Sequence, residues 1–222
     1  MFIKSNGARE EMTGKFVTFE GIDGAGKSSH ISWFVESLAA KGISVVSSRE
    51  PGGTLLGEKL REIILNDEME PATEALLAFA ARQENIATKI KPALRDGQWV
   101  VCDRFTDSTF AYQGYGRGFS IEKLEMLENW VHADLQPTFT IIFDCDPAVA
   151  AQRLADSRVA DKFERQSLEF FVRVRDGYLA RASRQPERYA IINSNQPINV
   201  VRAALAPLLV QLASGEGKAD VA

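Results

Sequence analysis

The chain is poor in cysteine, in positive charge and in long apolar runs, and each shortage excludes something. Cys102 and Cys145 are the two cysteines among 222 residues, each inside an apolar stretch. That is too few for a disulfide scaffold, and the pair reads as small core residues in a reducing compartment rather than as a disulfide or metal pair. No stretch approaches the roughly 18 apolar residues that a membrane span needs, and the N-terminus lacks the apolar core of a secretory signal. Lys and Arg number 26 against 30 Asp and Glu, for a net charge of −4. That balance argues against a protein built mainly to hold nucleic acid. No internal repeat and no low-complexity linker interrupts the chain. The expectation is a cytoplasmic protein with neither membrane nor nucleic acid as partner.

What remains suits one α/β domain: hydrophobic residues make up 45% and charged residues 25%, enough for a sizeable core at this length. Residues 1–13 are polar and unpatterned, residues 14–213 carry the domain, and 214–222 read as a disordered end. Strand and helix signals alternate throughout. Strands are expected at Phe16–Phe19, Ile43–Ser47, Trp99–Cys102, Thr138–Phe143 and Tyr189–Ile192. Helices are expected at Lys27–Lys41, Leu55–Leu65, Ala72–Leu94, around Tyr112, from Ser120 to His132, Pro147–Ala155, Arg165–Ser183 and Asn199–Leu212. Five strands separated by helices imply a parallel sheet wrapped on both faces. Ligands of such sheets bind at the carboxyl ends of the strands.

Gly21 to Ser28 reads G-I-D-G-A-G-K-S, a full match to the phosphate-loop pattern G-x-x-x-x-G-K-[ST]. It lies between a β-prone stretch and a helix start, the context in which the pattern has meaning. Glycines let the backbone of Gly21, Ile22, Asp23, Gly24, Ala25, Gly26 and Ser29 wrap the phosphates of a nucleoside triphosphate with N–H groups. The helix N-terminus adds partial positive charge. Lys27 would reach the β- and γ-phosphates and the Ser28 hydroxyl would ligate Mg²⁺. No guanine-reading N-K-x-D motif is present. Arginines gather instead at loop positions near the sheet's carboxyl end: Arg104 directly after the third strand, Arg82 in the long helix, and Arg153 and Arg158 flanking a break near residue 157. Phosphoryl transfer between two nucleotides needs such a set, because guanidinium groups stabilise dispersed negative charge.

The phosphate loop, Arg49-Glu50-Pro51-Gly52-Gly53-Thr54, Asp103-Arg104-Phe105, Ser108-x-x-Ala111-Tyr112-Gln113-Gly114 and Asp161-Lys162-Phe163-Glu164 together resemble bacterial thymidylate kinases, from about Gly14 to Leu212. The resemblance implies a P-loop NTPase fold, ATP and Mg²⁺ as cofactors, dTMP as acceptor and a homodimer. It places Asp23 near the acceptor sugar and phosphate, Asp103 on Mg²⁺ through water, and Arg104 on the dTMP phosphate. Phe79 would stack on thymine, three residues before Arg82, though four would also put a ring on that helix face. Arg82 would bond the O4 edge. Thr109 and Gln113 lie where the family contacts the base, and Tyr112 crowds the sugar 2′ position. Glu50, Pro51, Ser108, Asp161, Phe163 and Glu164 complete the dTMP set.

Some members of that family carry a catalytic arginine in the phosphate loop, at the position of Gly24 here. This chain resembles the other type, in which a lid at about 153–164 supplies it: Arg158 first, with Arg153 next and nearer to adenine or an ATP phosphate. Lid closure would exclude water. The chain departs from the family pattern at Tyr115, where many relatives have glycine, and at Lys162, where arginine is common. Glu50-Pro51, in a turn after a strand, is a candidate cis peptide. Two other readings stay open at this stage: a kinase for a different nucleoside monophosphate or a deoxynucleoside, and a nucleotide-binding switch without turnover.

Overall fold

A computed structural model of the chain describes residues 12–155 and 162–214. Five strands, β1 (Phe16–Glu20), β2 (Val45–Arg49), β3 (Trp99–Asp103), β4 (Phe139–Asp144) and β5 (Tyr189–Asn193), form one parallel sheet in the order β2-β3-β1-β4-β5. β1 is central and all five of its residues are buried. Buried on both faces, it reads as a near-continuous apolar run, as parallel strands do. In register, Phe19 pairs with Asp103 of β3 and with Ile141 of β4. The phosphate loop and the Asp103-Arg104 corner are therefore level at the carboxyl edge, and strand order reverses beside β1, where such sheets hold ligands.

The helices are α1 (Lys27–Ala39), α2 (Leu55–Asn66), α3 (Pro71–Asn85), α4 (Lys91–Arg95), α5 (Thr106–Thr109), α6 (Ile121–His132), α7 (Pro147–Ala155), α8 (Leu168–Arg184) and α9 (Ile198–Ser214). One apolar cluster joins Val17, Phe19 and Val101 of the sheet to Phe34, Tyr178 and Leu205 of α1, α8 and α9. A second, with Phe16, Ile86, Leu94 and Val100, fills the other face, and Met12 packs on it. Each such side chain contributes roughly 1.5–3 kcal/mol on burial.

Several boundaries differ from the sequence expectation. β2 starts at Val45 rather than Ile43, because Ile43 closes α1: its N–H donates to Leu38 O at 3.2 Å, past a left-handed Gly42. The expected helix from 72 to 94 is α3 and α4 joined by a π-helical stretch, Ile86–Ile90. A second π-helical stretch, Phe110–Gly116, carries Tyr112 and Gln113, and such wide turns recur at functional sites. Tyr115 packs in this stretch against α8, where Gly177 makes room: a Cβ there would lie 2.9 Å from the ring. α8 begins at Leu168 rather than Arg165, since the Ser167 hydroxyl accepts from Phe170 N–H and caps it. The Glu50–Pro51 peptide is cis. Half of the lid, residues 156–161 with Arg158 and Asp161 among them, and the two terminal tails apart from Met12, Thr13 and Ser214 lie outside the described residues.

Candidate active site

The phosphate loop leaves β1 through three left-handed glycines, Gly21 (φ 135°), Gly24 (φ 79°) and Gly26 (φ 83°), and enters α1 at Lys27. Gly24 is fixed twice over, by its φ and by space: a Cβ there would come within 2.3 Å of the Ala150 carbonyl oxygen on α7. The Lys27 ammonium is buried and donates to Gly21 O at 3.0 Å and Ile22 O at 3.2 Å. Burial, then the charge of Arg104, pulls its pKa down to about 8. The cleft over this loop is lined by Gly24, Gly26, Lys27, Ser28, Ser29, Asp103 and Arg153, and Glu164 closes its rim. Arg153 is held there by donating to Ser194 O at 3.0 Å, across from the loop after β5. Gly21, Ile22 and Ala25 support the loop from beneath, with Ile22 and Ala25 in the core.

A second cavity lies beside it, under α2, α3 and the wide helical turn. Its polar lining includes Glu50, Arg82, Ser108, Thr109, Tyr112 and Gln113, and its apolar wall includes Pro51, Ala78, Phe105 and Phe163. Arg82 is 2% exposed and tightly tied: Nε donates to Glu50 Oε2 at 2.7 Å and Nη2 to Thr109 Oγ1 at 3.0 Å. Its Nη1 is buried with no hydrogen-bond partner. Burial pushes the Glu50 carboxyl up, against Arg82 and the Asn85 amide, which donates to it at 3.0 Å. Gln113 Nε2 donates to the buried Glu74 at 2.8 Å.

Arg104 sits between the two chambers. It is the one non-glycine residue with positive φ, 67°, among the described residues, a strained conformation of the kind that clusters at functional sites. Two flanking contacts hold it. Its own N–H donates to Phe19 O at 2.9 Å, and the next residue, Phe105, donates to the buried Glu20 carboxylate at 2.7 Å. Arg104 Nη1 donates to Gly21 O, Ser108 Oγ and Tyr178 Oη; Nη2 donates to Asp23 Oδ1 at 2.6 Å and to Tyr112 Oη. Burial alone would raise the Asp23 carboxyl, but Arg104, Lys27 and the Tyr112 hydroxyl bring it down to about 2. Burial with the nearby Asp107 pushes Glu20 up to about 8, against hydrogen bonds from Ser108 and Phe105.

One expected residue is placed elsewhere. Phe79 does not line the cavity; its ring stacks on His132 at 6.4 Å and packs with Ala75, Phe110 and Leu124. α3 turns about 100° per residue, so the face bearing Arg82 is shared by Ala78, four residues before it, and Phe79 falls to one side. Phe105, its ring 5.2 Å from the Arg82 guanidinium carbon, provides an aromatic wall in its stead. Arg61 went unnoticed in the sequence. It donates to Pro51 O at 3.0 Å and lines both chambers. The signal was its spacing of three from the buried Ile64, which puts the two on one face of α2.

Among the described residues no group of three or more His, Cys, Asp and Glu could by itself hold a metal ion. The buried Asp103 Oδ1 has no hydrogen-bond partner and faces the cleft that Ser28 lines, so the donor set present suits Mg²⁺.

Residues 19–205 match the family model described as thymidylate kinase. The chain is 56% identical over 205 residues to the thymidylate kinase of Ralstonia pickettii, covering 90% of this chain and all of that one. It is 56% identical over 198 residues to that of Methylobacillus flagellatus, covering 89% and 98%. The crystal structure of thymidylate kinase from Ehrlichia chaffeensis superposes with a TM-score of 0.74 at 35% identity, covering 88% of this chain and 98% of that one.

Proposed function

The chain belongs to the thymidylate kinase family and is a phosphotransferase, and from that premise we propose that its two chambers hold ATP and dTMP end to end. One observation carries the reading: the phosphate cleft and the enclosed cavity share Asp23, Glu50, Arg61 and Arg104 in their linings. A phosphate in each chamber would meet at that wall.

ATP phosphates lie on the loop Gly21–Ser29, with Lys27 on the β- and γ-phosphates and Arg153 toward adenine or a phosphate. dTMP lies in the cavity, its phosphate on Arg104 and Arg61. A dTMP phosphate oxygen forms the bond to Pγ, and the bond from Pγ to the β–γ bridging oxygen breaks, giving dTDP and ADP. Both the acceptor oxygen and the departing phosphate are anionic, so no base is required. The residues position and neutralise. Mg²⁺, when bound through Ser28 and, by way of water, Asp103, supplies further neutralisation of the phosphates. Arg82 donates to thymine O4, Phe105 and Phe163 flank the ring, and the Tyr112 hydroxyl, hydrogen-bonded to Asp23 at 2.7 Å, crowds the sugar's 2′ position. Arg158, which lies outside the described residues, would bring a further guanidinium from the lid, and Asp161 and Glu164 belong to the dTMP set.

No helix among the described residues is long and apolar enough to cross a membrane, in keeping with a cytoplasmic enzyme of small-molecule substrates. Trp130 and Met126 on α6 are 82% and 71% exposed, and Leu76 on the adjoining α3 is 55% exposed. This apolar face suits a second copy of the chain.

ADP release from Mg-ATP with dTMP, dUMP, ribo-TMP, dCMP and AMP offered separately tests the reading. Strong release with dTMP, weaker with dUMP and little with the rest is expected. Strong release with another acceptor would overturn the assignment of the cavity.

A further inference from the structure

Two buried carboxylates stand behind the cavity, one behind each group that faces the base. Glu50 holds Arg82. Glu74, on the first turn of α3 and fully buried, holds Gln113: Gln113 Nε2 donates to Glu74 Oε1 at 2.8 Å. The Glu74 carboxylate has a close counter-charge. Lys162 Nζ lies 2.8 Å from Oε2, itself 1% exposed at the side chain, and Arg117 Nη1 lies 3.7 Å away. Lys162 also donates to Asp67 O at 2.8 Å, which anchors it between α2 and α3.

This arrangement has a chemical consequence for Gln113. An ionised carboxylate only accepts hydrogen bonds, whereas a glutamine amide has one donating and one accepting end. In the structure the NH₂ end of Gln113 faces Glu74, beside the Lys162 ammonium, and the carbonyl end is left for the cavity that Gln113 lines. A cavity lined by both this amide and Arg82 can offer an acceptor and a donor to one base. The Watson–Crick edge of thymine has the complementary pair, N3–H as donor and O4 as acceptor. Cytosine carries the inverse, an N3 acceptor and an N4 donor.

We propose that the Glu74–Lys162 ion pair is a positioning element for base choice: it fixes the orientation of the Gln113 amide so that the pocket accepts an N3–H base and rejects cytosine. The inference rests on the assignment of the cavity to the acceptor base. It also gives the end of the lid a role in specificity, since Lys162 precedes Phe163, which lines the same cavity and meets the Tyr112 ring edge-on at 5.5 Å.

The test compares kcat/KM for dTMP and for dCMP in the full-length enzyme and in Glu74→Gln. The substituted amide can donate or accept, so Gln113 is free to turn over. The wild type is expected to prefer dTMP by about 10⁴-fold, the scale reached by sites that hydrogen-bond their substrate. Glu74→Gln is expected to lower that ratio at least about tenfold, with KM for ATP within about twofold of wild type. A merely structural role would slow both acceptors alike and leave the ratio standing, and that result overturns the inference. A wild type without preference for dTMP would instead overturn the cavity assignment, on the wild-type arm alone. Should Glu74→Gln fail to fold, Lys162→Met, which removes the counter-charge, is read by the same ratio, and an unchanged ratio there overturns the inference equally.

Discussion

Arg104 and Asp23 meet at 2.6 Å between Nη2 and Oδ1, joining the corner after β3 to the phosphate loop. The residue proposed to grip the acceptor phosphate is thus bolted to the phosphate loop. Arg104→Ala is expected to raise KM for dTMP sharply and to lower kcat/KM for dTMP by about 10²-fold, the scale for loss of a donor that stabilises transition-state charge. ATP affinity should change little. Steady-state kinetics with each substrate varied in turn check this; a collapse of ATP affinity with dTMP affinity intact would exchange the two chambers.

Arg82 and Glu50 form an ion pair at 2.7 Å in which both side chains are 2% exposed. Removing one partner strands a buried charge, which costs about 3–5 kcal/mol. Glu50→Ala should therefore lower Tm by roughly 10 °C for a chain of this size, and thermal melts followed by circular dichroism would measure it.

His132 is buried, with Nε2 2.6 Å from Thr106 Oγ1 and Nδ1 3.0 Å from Leu135 O. Burial, then the charge of Arg82, lowers its pKa from 6.5 to about 4. Between those values the unfolded chain binds a proton that the folded chain does not, so this residue's contribution to stability falls as pH drops from 6.5 to 4. The loss is about 3 kcal/mol across the window. Urea melts at pH 4 and at pH 7 should show this extra acid sensitivity in the wild type and not in His132→Gln.

Arg158 lies outside the described residues, and its role is tested kinetically. Arg158→Ala should reduce kcat by about 10³-fold, as for arginine fingers, with KM for dTMP little changed. Near-normal turnover would move the role to Arg153.

The face formed by Trp130, Met126 and Leu76 is tested by Trp130→Glu. Sedimentation velocity is expected to show the wild type as a dimer and this variant as a monomer at the same concentration.

The sequence revealed most where the chemistry is local. The phosphate loop is contiguous, and its flanks follow from apolar periodicity, so its place between β1 and α1 was legible. Arg104 was legible because an apolar strand leads straight into it. Phe79 was misplaced because positions three and four residues before Arg82 lie on either side of it around the helix, and only packing against Phe110 and Leu124 decides which faces the cavity. Glu74 and Lys162 were not assigned because their partners are far along the chain: Lys162 meets Glu74 across 88 positions. No period or spacing records such a meeting. The two π-helical stretches escaped for a related reason, since the apolar pattern of a wide turn differs little from that of an α-helix.

Gly24 carries a consequence for the history of such enzymes. An arginine there would need a Cβ where the Ala150 carbonyl stands, 2.3 Å away, and a backbone at φ 79° that side chains resist. Placing an arginine at position 24 is therefore not one mutation in this scaffold. The start of α7 must retreat first, and a lineage that shifted the arginine before that retreat would pass through an enzyme with a distorted phosphate cradle. The two family types are separated by a packing barrier as well as by chemistry.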